Sequence, residues 1–173
     1  STLYIVGLPI GNLGDITLRA LWILALADVV AAEDTRETRK LLDKFGISVK
    51  LLSVREHNER HGAEQIIELL QEGKKVTLVT DAGTPCVSDP GARAVKAVRE
   101  AGFRVIPVPG ASAVVTALSG AGLDGSGFTF VGFVPPQSKA RRNALAYWLA
   151  RPEPFVLYEA PHRVVDLLED LAA

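Results

Sequence analysis

The sequence contains no methionine and only one cysteine, Cys86. A single cysteine excludes a disulfide framework within the chain and provides no cysteine cluster for a metal. This favours a reducing compartment and predicts a cytoplasmic protein. Because methionine is absent, Ser1 is not an initiator residue, and we expect a processed or shortened chain.

Long apolar runs and strong net charge are missing too. The uncharged run over residues 20–27 is far shorter than the roughly 18 residues of a membrane span, and no basic segment precedes a signal-like stretch. We therefore expect a soluble protein with no membrane partner. The formal net charge is only -1, so any contact with nucleic acid must come from a local basic patch.

The 173 residues are instead rich in hydrophobic side chains, which make up 48% of the chain. Short apolar runs predict strands at residues 3–7, 29–32, 50–54, 75–80 and 104–108. Helical patterns fall at residues 17–27, 35–45, 58–71, 91–101 and 112–120, with glycine stops at Gly46, Gly73 and Gly102. This alternation predicts an α/β domain with a mostly parallel sheet.

A glycine-rich stretch at residues 120–127 fits neither periodicity and suits a linker. It predicts an N-terminal domain over residues 1–122 and a second domain from 123 onward. That part predicts strands at 128–134 and 154–158, and helices at 139–150 and from His162. Because two strands and two helices are too few to close a core alone, we expect the domain at 123–173 to be incomplete.

The loop after the first predicted strand begins at Gly7 and spells GxxxGxxG. Glu33 lies about where the ribose-binding acid of a dinucleotide site would be. However, Pro9 removes a backbone donor, and the spacing is not GxGxxG. The pattern therefore favours a tight strand-to-helix turn over a nicotinamide site.

Two acids, Glu33 and Asp34, end the second predicted strand. The helix that follows carries a basic stripe of Arg36, Arg39 and Lys40. Asp34 or Thr35 can simply cap this helix, and the stripe can be a solvated face. Alternatively, the acids face a ligand crevice, where one acts as a base and Arg36 holds a phosphate.

A third polar cluster, Glu56-His57-Asn58-Glu59, follows the third strand. His57 is a usable acid–base group, because imidazoles change charge near neutral pH. Capping by Asn58 explains half of the cluster without any function. His61 and His162 lack companion ligands at metal spacing, so we predict no metal site.

The loops after the fourth and fifth strands have the composition of ligand-binding loops. Residues 81–91, DAGTPCVSDPG, combine turn formers with small polar groups, and residues 107–113, PVPGASA, offer backbone donors and a serine hydroxyl at a helix start. The second loop is also compatible with a kinked turn and a helix cap. All these loops meet at one sheet edge, which predicts a site there.

Six segments, in this order, resemble the RsmI family of ribosomal RNA small-subunit methyltransferases, which belongs to the tetrapyrrole methylase superfamily. They are LPIGNLGDITLRAL, AAEDTRETRKLL, EHNE, VTDAGTPCVSDPG, PVPGASAVVTAL and YEAPHR. The resemblance implies transfer of a methyl group from S-adenosylmethionine to the ribose 2′-oxygen of a cytidine in 16S rRNA of the small ribosomal subunit. It also implies a homodimer and a tetrapyrrole methylase-like fold, with the cofactor between two α/β domains.

The resemblance assigns the cofactor to three loops, at Leu8, Pro9, Asp81, Thr84, Gly110, Ser112 and Ala113. The chain departs from the family at Cys86, where members usually have glycine, and at Arg55, where they usually have histidine. Family chains also continue well past residue 173.

The implied reaction requires the 2′-oxygen to be aligned with the methyl group and its proton to be removed. Asp34 is the favoured base, with Glu33 and His57 as alternatives. The candidate RNA-binding residues are Arg36, Arg39, Lys40, Lys139, Arg141 and Arg142. Two alternatives stay open: a C-methyltransferase acting on a tetrapyrrole, and a non-catalytic RNA-binding fragment.

Overall fold

A computed structural model of the chain describes residues 1–125 and 127–173; residue 126, in the predicted linker, lies outside the described residues. The chain divides into two compact units, Ser1–Ala113 and Val114–Ala173. The helix before the linker therefore groups almost entirely with the second unit. The predicted boundary near residue 122 stays a prediction.

The first unit alternates strands and helices as the sequence predicts. Its strands are β1 (Thr2–Val6), β2 (Val29–Ala32), β3 (Lys50–Ser53), β4 (Lys75–Leu78) and β5 (Arg104–Val108). Its helices are α1 (Leu18–Leu26), α2 (Thr35–Lys44), α3 (Glu59–Gln71) and α4 (Ala92–Glu100), with short 3₁₀ helices at Leu13–Asp15 and Glu56–Asn58. The three glycine stops are confirmed: Gly46, Gly73 and Gly102 have φ values of 66°, 83° and 86°, the left-handed conformation that ends a helix.

The five strands form one parallel sheet in the order β3-β2-β4-β1-β5. The predicted α/β class with a mostly parallel sheet is therefore confirmed. Helices cover both faces, and β2 is buried along its whole length. Val30 and Ala32 pack in the core formed with α1 and α2, whereas Ala31 packs in the core formed with α3 and α4. Because all strands are parallel, their carboxyl ends bring the following loops to one edge.

The second unit consists of α5 (Ala113–Ala121), whose first residue still belongs to the first unit, β6 (Thr129–Phe133), α6 (Ser138–Leu149), β7 (Phe155–Tyr158) and α7 (Val164–Ala172). Its two strands pair in parallel. Its core cluster is small and is formed by Val134, Leu145 and Leu167. Within residues 1–125 and 127–173, no helix combines the length and apolarity needed to cross a membrane. The cytoplasmic location stays a prediction.

Candidate active site

Two loops at the carboxyl edge of the first sheet are joined backbone to backbone. Leu8, after β1, and Gly83, after β4, exchange two hydrogen bonds, each with an N–O distance of 3.0 Å. Leu8 and Pro9 are both buried. The two loops that the sequence assigns to a ligand are therefore fixed against each other.

The loops after β1 and β5 approach each other through a pair of glycines. A β-carbon on Gly7 would lie 3.2 Å from the α-carbon of Gly110, and one on Gly110 would lie 3.1 Å from the α-carbon of Gly7. Thr84 links the loop after β4 to the loop after β5, because its hydroxyl donates a 3.0 Å hydrogen bond to the carbonyl oxygen of Ala111. The three loops thus form a cradle, here defined as residues 7–9, 81–84 and 110–113. It contains all seven residues predicted to bind cofactor.

We expect Gly110→Ala to lower the free energy of unfolding by about 1–3 kcal/mol, the usual cost of overpacking. Its β-carbon would press on the backbone of Gly7, which cannot rotate away as a side chain would. Gly120→Ala in α5 is the control, since no atom lies within 4 Å of that β-carbon and alanine favours a helix. Urea unfolding measures both variants, and equal free energies would contradict the steric argument.

Asp34 is the N-cap of α2. Its Oδ1 accepts hydrogen bonds from the amides of Arg36, at 2.9 Å, and Glu37, at 3.4 Å. The Arg36 amide is the main cause that holds the pKa of Asp34 below its usual range. The predicted capping role is therefore confirmed, and a carboxylate held in its charged form by amides is a weak proton acceptor. The amide of Asp34 also donates to Oδ1 of Asp81, at 3.2 Å, which ties the β2 loop to the cradle.

Glu33 has the opposite electrostatic environment. Burial, followed by the nearby carboxylates of Asp81 and Asp89, raises its pKa above the ordinary value, and the positive charge of Arg55 opposes this rise. Arg55 also reaches the β2 loop directly, because its Nε donates to the carbonyl oxygen of Glu33, at 3.3 Å. Glu33 is thus the candidate base with the greater affinity for a proton.

His57 is exposed and lies in the short 3₁₀ helix Glu56–Asn58. In the part of the chain that the structure describes, no hydrogen bond or ion pair joins it to Glu33 or Asp34. Asn58 occupies the N-cap position of α3, as expected, but its side chain does not cap that helix. Its Oδ1 instead accepts a hydrogen bond from the amide of Arg55, at 2.6 Å, at the start of the preceding 3₁₀ helix.

The basic stripe of α2 is only partly free to bind a phosphate. The Arg36 side chain is 82% exposed, although its Nε lies 3.5 Å from Asp34 Oδ1. Arg39 donates to the carbonyl oxygen of Val49, and Lys40 pairs with Glu37 at 2.7 Å. Arg36 and Arg39 line a shallow groove of about 420 Å³ beside β3. Of the three, Arg36 is the most accessible cation.

Arg141, which the sequence assigns to RNA, has its guanidinium in the core of the second unit, and its role in RNA binding stays a prediction. Only 5% of its side chain is exposed; its Nε donates to Asp170 at 2.6 Å and another nitrogen donates to the carbonyl oxygen of Pro136 at 3.0 Å. Arg142 contacts the same carboxylate at 2.8 Å but is 59% exposed, and Lys139 is exposed. Lys139 and Arg142 are therefore the more accessible cations of the three.

Two further groups at this edge were not assigned from the sequence. Asp89 lies in the quoted SDPG motif, and burial, together with the charge of Asp81, raises its pKa. Glu59, the last residue of EHNE, is buried although it is a carboxylic acid. Sequence reasoning could have identified both residues, because each lies in a motif, SDPG or EHNE, that the sequence analysis describes. Among the described residues, no group of three or more His, Cys, Asp or Glu side chains is placed to hold a metal ion.

A separate cleft of about 660 Å³ lies between α4 and β5 and has mainly apolar walls, among them Val95, Phe103 and Val105. Cys86 also lines it. Burial, and then the charges of Glu59 and Asp89, raise the pKa of this thiol to about 11, so it is protonated at neutral pH and is not a nucleophile.

Comparison with known proteins gives consistent matches. A family model described as Tetrapyrrole (Corrin/Porphyrin) Methylases matches residues 2–173. The chain is 57% identical over 171 residues to the ribosomal RNA small subunit methyltransferase I of Neisseria meningitidis serogroup B, covering 99% of this chain and 59% of that protein. It is 52% identical over 171 residues to the protein of the same name from Escherichia coli O157:H7, with 99% and 60% covered. The chain thus spans about three-fifths of the length of these relatives.

A solved structure, the uroporphyrin-III-C-methyltransferase from Thermus thermophilus, matches 99% of this chain and 73% of its own chain, with a TM-score of 0.64 and 27% sequence identity. The parallel α/β fold of the chain agrees with the family model, which extends over nearly every residue. The chain belongs to the tetrapyrrole (corrin/porphyrin) methylase family.

Proposed function

We propose that this protein is an S-adenosylmethionine-dependent methyltransferase that methylates the ribose 2′-oxygen of a cytidine in 16S rRNA of the small ribosomal subunit. The observation that carries the proposal is the 57% identity, over 171 residues, to a protein named ribosomal RNA small subunit methyltransferase I. The cytidine, the 2′-oxygen and the homodimer come from the RsmI resemblance alone and are parts of the proposal.

The cradle fits the proposed cofactor. Gly7 and Gly110 lack side chains, so the loops after β1 and β5 pack backbone against backbone and set the shape of the cradle. Oδ1 of Asp81 accepts a hydrogen bond from the amide of Asp34. None of the described residues donates a hydrogen bond to Oδ2, so this oxygen can accept one from an ammonium or a ribose hydroxyl. Leu8, Pro9, Thr84, Ser112 and Ala113 complete the proposed binding set. The bound cofactor would supply a methyl group already activated on a sulfonium.

The protein's own chemical task is to remove the proton of the ribose hydroxyl. We assign Glu33 this role ahead of Asp34 and His57, because the raised pKa of Glu33 makes it the stronger proton acceptor of the two acids. A positioned base accounts for about a 10²–10⁴-fold rate increase. Alignment of the reacting atoms supplies the rest, roughly 7–11 kcal/mol in favourable cases.

A second candidate is C-methylation of a tetrapyrrole, because a structure with 27% identity carries the name uroporphyrin-III-C-methyltransferase. One experiment separates the two functions. The full-length gene product is incubated with labelled S-adenosylmethionine and either small ribosomal subunits that lack the modification or uroporphyrinogen III. We expect label in the RNA alone. Label in the tetrapyrrole alone would replace the proposal, and cofactor-independent RNA binding without label would support a non-catalytic module.

Arg36→Glu is expected to weaken binding of the small subunit and to reduce the dependence of log affinity on log salt concentration by about one unit or more. The reason is that an exposed cation at the site edge would be replaced by a charge that repels phosphate. Arg104→Glu is the matched control, since Arg104 is exposed at the start of β5, on the opposite edge of the sheet. Filter binding at several salt concentrations measures both, and equal slopes would restore the solvated-face interpretation.

A further inference from the structure

Glu59, the first residue of α3, is a buried carboxylic acid that the proposed function leaves unused. Only 7% of the residue is exposed. Its Oε1 accepts hydrogen bonds from the amides of Gly91, at 3.0 Å, Arg93, at 2.8 Å, and Ala94, at 3.3 Å. These amides form the beginning of α4, where a helix has no partners of its own for them. Glu59 therefore caps a helix from a distant part of the chain.

The N-terminus of α4 depends on this external cap. Gly91 is its N-cap residue and has a φ of 127°, which disfavours any other residue. A β-carbon at Gly91 would also lie 3.0 Å from Sγ of Cys86 and 3.0 Å from a methyl carbon of Leu78. Because this position admits no side chain, it cannot provide a capping oxygen. The carboxylate of Glu59 provides this oxygen instead, and its negative charge interacts favourably with the positive end of the α4 helix dipole.

The first turn of α3 is held in place to provide the cap. Gly62, three residues after Glu59, packs closely on Val54, the residue that follows β3. A β-carbon on Gly62 would lie only 2.8 Å from a methyl carbon of Val54. Val54 is buried, and its amide donates to the carbonyl oxygen of Ala32 at 2.8 Å. The Glu59 carboxylate is thus anchored to the sheet rather than carried on a mobile turn.

The segment that Glu59 holds is the β4 loop, residues 79–91, which contains Asp81 and Thr84. The near part of this loop is tied through the Leu8–Gly83 pairing and the bond from Thr84 to Ala111. The bonds from Gly91, Arg93 and Ala94 to Glu59 tie its far end. A loop fixed at both ends needs little further ordering when a ligand binds.

We infer that Glu59 is a positioning residue, which keeps the β4 loop in the shape that binds S-adenosylmethionine. This rests on the proposed function, since the cofactor is the proposed one. Without the carboxylate, part of the binding free energy is used to bring the β4 loop into its binding conformation. The dissociation constant and the KM for the cofactor therefore both rise. At saturating cofactor the loop is restored, so kcat changes little.

The variants are Glu59→Ala, which removes the acceptor, and Glu59→Gln, which keeps it. Asp28→Ala is the matched control, because Oδ2 of Asp28 also accepts a distant amide, that of Lys75 at 2.7 Å, but at the opposite edge of the sheet. In the full-length gene product, we expect Glu59→Ala to raise the calorimetric dissociation constant and the KM for cofactor at least fivefold, with kcat within twofold. Glu59→Gln should recover most of the affinity, and Asp28→Ala should leave it unchanged.

If the wild type does not bind S-adenosylmethionine, the proposed function fails; if it binds and Glu59→Ala binds equally well, the positioning role is overturned. Hydrogen exchange without cofactor gives a separate readout: Glu59→Ala should speed exchange of the Gly91, Arg93 and Ala94 amides more than Asp28→Ala does. Equal exchange in the two variants also overturns the inference. Should Glu59→Ala not fold, Glu59→Asp, whose carboxylate is one methylene short, replaces it with the same expectations.

Discussion

Glu33→Gln is expected to reduce the rate of methyl transfer at saturating cofactor by at least a hundredfold. The glutamine keeps the size of the side chain but cannot take a proton, and a positioned base is worth about 10²–10⁴-fold. The dissociation constant for S-adenosylmethionine should change little, because Glu33 lies outside the cradle. Single-turnover methylation of unmodified small subunits measures the rate, and calorimetry measures the affinity.

The pH dependence gives a second readout for Glu33. Only its charged form accepts a proton, so the wild-type rate should fall in acid through a pKa above the ordinary value of 4.5. Because the folded state raises this pKa, folding favours the protonated form, and that contribution to stability is lost as pH rises through the raised pKa. At pH 7, Glu33→Gln should therefore be at least as stable as the wild type.

Asp34→Asn is the matched control for Glu33. Asparagine is as good an N-cap as aspartate, so α2 should be preserved, and the rate should stay within about threefold of the wild type. A normal rate in Glu33→Gln together with a large loss in Asp34→Asn would return the role of base to Asp34. Normal rates in both variants would leave His57 as the candidate.

Arg141→Ala is expected to destabilise the second unit by about 1–3 kcal/mol, the usual cost of leaving buried polar groups without a partner. Asp170, whose side chain is buried in the wild type, would lose its shortest hydrogen bond, and the carbonyl oxygen of Pro136 would lose its bond from Arg141. Arg142→Ala removes the exposed cation from the same carboxylate and should cost no more than about 1 kcal/mol.

Fluorescence can follow the second unit alone. The chain has two tryptophans, Trp22 in α1 and Trp148 in α6. In a Trp22→Phe background, urea unfolding followed through Trp148 reports on α6. A loss of less than 1 kcal/mol in Arg141→Ala, combined with weaker RNA binding, would favour the prediction that Arg141 binds phosphate.

The sequence predicted the first unit well because its signals are local. Apolar runs of strand length alternate with amphipathic stretches, and glycines with positive φ end the helices. Asp34 as a helix cap was equally local, because its partners are two and three residues away. Such features depend on residues a few positions apart in the chain, so sequence patterns are enough to predict them.

The features that the sequence did not reveal mainly concern residues whose partners lie far away in the chain. Arg141 and Arg142 are adjacent and identical in type, and both contact Asp170 of α7, yet the side chain of Arg141 is buried and that of Arg142 is exposed. Periodicity cannot reveal that partner. Glu59 is similar, since its role depends on the conformation of Gly91. The rise in the pKa of Glu33 needs carboxylates from another loop.

Cys86 has a φ of 70°, a left-handed conformation rarely adopted by residues other than glycine, asparagine and aspartate. It lies in the β4 loop between Thr84 and Gly91, and it is the only cysteine in the chain. Burial raises the pKa of this thiol to about 11 and so keeps it protonated at neutral pH. A substitution that loosens the loop, such as Glu59→Ala, should lower this pKa towards its ordinary value and make Cys86 react faster with iodoacetamide than it does in the wild type.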